Sequence, residues 1–223
     1  MSAAEKSILE KDLTMAFIDF DVEMLERYLT EVEDQWDKAR ERKISEYRDR
    51  LQHEGKAQRE EPTVDLEAIG DSYEQFVHFQ RYAFLMLVFM IFEARAKELC
   101  KYVRERKQLS LELGDLRGNL PEMLKSYLCR YAKVLDKNWR LWQDVRELQL
   151  VRHQIAHQGG ICTKEEAKKK FKPLVRKVPG LRVERDFGGF LIELNLDSCR
   201  YAISTIKRFF EQAGRKAGFR NED

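Results

Sequence analysis

The sequence predicts an all-α chain with one small β-hairpin near its C-terminal end. Apolar residues recur at spacings of three and four through most of the 223 residues, the period of a helical face. Only 4 prolines and 11 glycines interrupt them, so the elements are long. The period shortens to two over residues 181–194, where a hairpin is expected. A chain of this length buries a proper core as one domain with an extension. Its 43% hydrophobic and 36% charged content suits helices with solvated faces.

Leu13 to about Glu54 reads as one long helix. Phe20, Met24, Tyr28, Val32 and Trp36 repeat every four residues as its packing stripe. Residues 1–55 are thus an N-terminal extension, 56–70 a polar linker containing Pro62, and 71–223 the body. The body opens with a helix from about Asp71 to Lys107. Its middle, Ala83 to Phe92, is apolar all round, so it is expected to be enclosed in the core or at a subunit interface. Leu109–Gly118 connects it to a helix from Pro121 to about Leu135, with the proline in the first turn. A further helix runs from about Asn138 to His157. Leu141, Val145, Leu148 and Ile155 form one of its faces, and Trp139, Leu150 and His153 the other. Gly159 and Gly160 end it. Thr163 caps a helix from Lys164 to about Lys177, with Glu165 and Glu166 in its first turn. Residues 181–185 and 190–194 flank Asp186-Phe187-Gly188-Gly189 as the hairpin. The last helix, Asp197 to Ala217, has Cys199, Ala202, Ile203, Ile206 and Phe210 as its stripe.

Net charge is only +2, but it is unevenly spread. The first 37 residues hold 3 basic and 11 acidic side chains, so the remainder carries a net +10. A basic body behind an acidic front suits an anionic ligand such as RNA. Cys100, Cys129, Cys162 and Cys199 are scattered without a C-x-x-C pair, which points to reduced thiols, no zinc site and a cytoplasmic setting. The apolar run from Tyr82 to Phe92 is 11 residues, too short to span a bilayer.

Arg152 falls on the apolar face of its helix, four residues after Leu148, where a guanidinium needs an anion or many acceptors. His157 lies five residues on, roughly 140° further round an ideal helix. One straight helix therefore aims the two at different targets. Arg152-x-x-x-x-His157, with polar His153 directly after the arginine and Ile155-Ala156 before the motif histidine, resembles the signature of the HEPN superfamily. Leu113-Gly114-Asp115-Leu116-Arg117-Gly118 looks like that family's connection between helices. The resemblance covers most of Asp71–Gly218. It implies a HEPN-like helical bundle and a metal-independent endoribonuclease in a defence or toxin role, without a cofactor. It also implies a homodimer, with motif helices facing one another across a basic cleft. The best known toxin branch has a tyrosine two residues after the motif histidine. Here that position is Gly159, which speaks against that branch and its nucleotidyltransferase antitoxin and leaves the identity of any antitoxin or partner protein open.

The chemistry fits such a role. A histidine moves protons near neutrality, and an arginine fork matches phosphate. Candidate catalytic residues are Arg152, His157, His153 and Glu93; some family members place an acidic residue opposite the motif, as Glu93 would be. Lys164, Lys168, Lys169 and Lys170, with Lys172, Arg176 and Lys177, are candidates to track an RNA backbone. The same residues fit plainer roles. Arg152 could tie a buried carboxylate, His157 could cap free carbonyls, and the lysines could be a solvated face. A non-catalytic RNA- or nucleotide-binding module, or a helical interaction protein, is the alternative function.

Overall fold

The computed structural model describes residues 3–53, 62–136, 138–186 and 188–218, with side chains placed over 16–50 and, within those ranges, from 68 onward. Helix α1 (Ala3–His53) and helix α2 (Pro62–Lys107) form an antiparallel hairpin, each arm roughly 70 Å long. Their partners run in opposite order. Arg95 donates to Asp21 at 2.5 Å, Tyr28 stacks on Phe84, Arg81 grips both oxygens of Glu33 at 2.7 and 2.8 Å, and Trp36 stacks on Phe76. The carboxylates raise the pKa of both arginines, chiefly through these hydrogen bonds.

The expected linker is helical from Pro62 onward; residues 54–61 lie outside the described residues. A proline costs nothing at a helix start, because its missing N–H would be unpaired there anyway. The packing stripe of α1 also differs from the expected one. Ile18, Val22, Leu25 and Leu29 are buried, while Phe20, Met24 and Tyr28 stay exposed. The helix carries two apolar stripes, and the spacing alone does not say which one meets the core.

Helix α3 (Leu120–Lys125) is shorter than expected. It is capped by Asn119 and passes into a π-helical turn over Ser126–Tyr131. Helix α4 (Arg140–Gln158) carries the motif. Strand β1 (Ile161–Cys162) follows, then α5 (Lys164–Glu166), a second π-turn (Ala167–Phe171) and α6 (Lys172–Val175). Thr163 caps α5 in a reciprocal box with Glu166, the local reason this helix begins there. Strands β2 (Arg182–Asp186) and β3 (Gly189–Glu193) form the hairpin. With β1 they make a three-stranded antiparallel sheet in the order β1-β3-β2. The added strand pairs Ile161 with Leu191 and Cys162 with Phe190. Two residues are too few to show an alternating pattern.

Helix α7 (Leu196–Ala217) lies against α1, α2 and α4, and Asn195 caps it. Its Phe209 and Phe210 meet Phe92, Trp139 and Trp142 in an aromatic cluster. Trp139 therefore belongs to the core edge, with its indole donating to Gln212, and not to a free face of α4. The chain is predominantly helical with one small sheet. Among the described residues no helix is long and apolar enough to cross a membrane. All four cysteines are free; burial pushes the Cys100 and Cys199 thiols up to about 12.

Candidate functional site

Leu141, Trp142, Val145, Leu148, Val151 and Ile155 seat α4 in the core. Its C-terminal end is fastened to the sheet. Buried Gln154 donates to the Ile161 carbonyl, and Gly160 accepts from the Ile192 amide at 3.0 Å. Tyr82 on α2 donates its hydroxyl to the Ile192 carbonyl. Gly159 and Gly160 take φ of 60° and 83°, the left-handed conformation that stops a helix. A Cβ on Gly160 would overlap the Tyr82 hydroxyl, so glycine is required there by space as well. The last turn of α4 is thereby held as a rigid platform.

Two candidate faces emerge on this platform. Arg152 is half-buried on the core side, and its Nε is buried with no hydrogen-bond partner. Among the described residues no carboxylate forms an ion pair with it, as one would with a structural arginine. His153 and His157 are exposed one turn apart, with ring centroids 4.4 Å apart. They share the outer face with Arg146 and the exposed Leu150. Helical geometry therefore separates Arg152 from His157 within one chain, as the spacing predicts. Glu93 is half-buried on α2; among the described residues no hydrogen bond or ion pair joins it to either motif residue. The two histidines have no third ligand beside them, and no group of three or more His, Cys, Asp or Glu fit to hold a metal occurs among the described residues.

The basic candidates divide. Lys169 and Lys170 pair with Glu165 and Glu166 at 2.5 and 2.8 Å on the exposed surface, contacts that water largely screens. Lys164 and Lys168 are exposed beside them. Lys177 is committed elsewhere: it pairs with Glu147, a carboxylate only 4% exposed that also accepts from Gln143. Sequence reasoning missed Glu147, since a glutamate directly after Arg146 on a helix resembles a solvated side chain.

A groove of about 1,090 Å³ lies between the hairpin and the sheet. Gly159 and Ile161 reach its margin, but Arg152 and His157 do not line it. Six carboxylates, Glu33 and Glu193 among them, face three arginines there, so the groove suits a cation better than a phosphate. On its wall, burial and then Arg81 lower the pKa of His78.

No family model, curated protein or solved structure matches this chain.

Proposed function

We propose that the chain is a metal-independent endoribonuclease of the HEPN type, acting in the cytoplasm with a composite site of Arg152 from one copy and His157 from another. The observation that carries this reading is the Arg152 guanidinium, half-buried on the motif helix with no acceptor at its Nε. An arginine kept in that state fits an anion that arrives later, and phosphate matches its planar fork. The two imidazoles, tilted against one another on the outer face, supply proton transfer. His157 takes the proton from a ribose 2′-hydroxyl, and the freed oxygen attacks the adjacent phosphorus. The 5′-oxygen leaves with a proton from the second histidine, His153. Arg152 stabilises the charge gathering on the phosphoryl oxygens. Products are a 2′,3′-cyclic phosphate and a 5′-hydroxyl. Lys164, Lys168, Lys169 and Lys170 follow the RNA backbone. A defence or toxin role follows from the family resemblance.

RNA cleavage in excess EDTA, with the product ends identified, tests the reading. Absence of cyclic-phosphate ends at every protein concentration would sink it. The acidic groove favours a second reading, a helical interaction protein with a cationic partner. In that case RNA would neither be cut nor bound.

A further inference from the structure

Helix α2 was expected to be enclosed on every side, and it is not. Tyr82, Phe84, Leu85, Val88, Phe89 and Phe92 are buried, but Phe76, Phe79, Ala83 and Met90 are exposed and Met86 is half-exposed. These five residues are spaced three, four, three and four apart. That is the heptad rhythm of a seam between two helices. Among the described residues the seam stays largely exposed, with only its Phe76 end touched by the Trp36 ring of α1. It lies on the outer side of the hairpin, where Phe17, Phe20, Met24 and Tyr28 of α1 are also exposed.

From this we infer that a second copy of the chain seats its own α2 on this seam, antiparallel, about a two-fold axis at Ala83. Three features favour a second copy as the occupant. The first is area. Seven large apolar side chains on this face are between 40% and 62% exposed. At roughly 200 Å² for a full side chain of this kind, they present on the order of 700 Å², near the ~800 Å² per partner of a standard interface. The largest patch on a typical monomer is smaller, about 300–600 Å². The second is self-complementarity, which a two-fold contact demands. About Ala83, Phe76 meets Met90 of the partner subunit and Phe79 meets Met86 of the partner subunit. Each aromatic ring then faces a flexible thioether, a favourable pairing. The small side chain at the centre lets the two backbones approach. The third is the absence of charge. No acid or base stands at a seam position from Phe76 to Met90, and its neighbours Gln80 and Leu87 are uncharged; Arg81, within the same stretch, is turned to Glu33 of α1. Two hairpins joined in this way form a four-helix bundle, with Phe17, Phe20 and Met24 closing over its flanks.

The seam is separate from the outer face of α4, and the inference stands independently of the RNA chemistry. It is tested on the full chain. Light scattering at micromolar concentration is expected to give at least a dimer mass. Met90→Asp, a surface change in the single chain, is expected to halve that mass while circular dichroism stays unchanged. Ala83→Cys in a Cys129→Ser background is expected to form a disulfide-linked dimer under a mild oxidant, whereas Lys101→Cys in the same background should not. A monomer mass for the wild type overturns the inference. So does a Met90→Asp chain of unchanged mass, or a dimer in which Ala83→Cys fails to cross-link. All readouts are made without RNA, so loss of the composite-site reading would be seen separately, in the cleavage assay.

Discussion

A buried guanidinium nitrogen without an acceptor is a cost the fold carries, about 1–3 kcal/mol for a group of this kind. Arg152→Ala should therefore leave the melting temperature unchanged or raise it, while cleavage in EDTA falls roughly 10²–10³-fold. Arg152→Lys should restore little, because one ammonium lacks the fork. Exposed His157 can be changed to alanine without touching the core, and its loss should cost roughly 10²–10⁴-fold in rate. Full activity in His157→Ala, or a collapse in melting temperature for Arg152→Ala, would refute these roles. Lys177→Ala makes the contrasting forecast. It leaves the Glu147 carboxylate buried with only Gln143 beside it, so stability should fall by about 1–3 kcal/mol with cleavage per folded molecule unchanged. Denaturant midpoints on the variants separate the two classes. The oddity of Arg152 was legible in the sequence, because an arginine on an apolar stripe stands out against its neighbours. The Glu147–Lys177 pair was not: its members lie 30 residues apart, Glu147 on α4 and Lys177 in the turn after α6, and each looks like ordinary surface charge.

At the scale of elements, the end of α4 decides where His157 points. Gly159 and Gly160 both have positive φ, but their surroundings differ. Space is open around a Cβ on Gly159, and a Cβ on Gly160 meets the hydroxyl that Tyr82 uses to hold Ile192. Gly159→Asn should be tolerated within a few tenths of a kcal/mol, since asparagine accepts the left-handed conformation. Gly160→Ala should cost about 2 kcal/mol or more, through strain and a displaced Tyr82. Equal melting temperatures for the two variants would show that the helix end is not fastened to the sheet as described. Helix stops and caps of this kind were readable because they rest on single residues: Gly159, Thr163 and the hairpin glycines. The π-turns at Ser126–Tyr131 and Ala167–Phe171 and the two-residue β1 were not. Each is defined by backbone hydrogen bonds to neighbouring turns or to a distant strand, and no residue type marks them.

For the whole molecule, the question is what the acidic front does to the basic body. Removing residues 1–55 looks like the direct experiment, but Ile18, Val22, Leu25 and Leu29 share one core with α2 and α7. Burying such side chains contributes about 1.5–3 kcal/mol each, against a total stability of about 5–15 kcal/mol. The truncated chain is therefore expected to unfold. That α1 docks was foreseeable from its apolar stripes and opposing charge; the stripe it uses was not, since both faces qualify and only the complete fold chooses. The electrostatic question has to be put to the intact protein. Glu23 and Glu26 are exposed on α1, away from the buried stripe. Changing both to glutamine removes two negative charges without altering the packing. If the front repels RNA from the body, affinity measured by fluorescence anisotropy should rise about 2–5-fold at low salt. The gain should shrink towards 0.15 M salt, where the screening length falls to about 8 Å. A gain independent of salt would point to a local contact instead, and an unchanged affinity at every salt concentration would end the idea that α1 limits access.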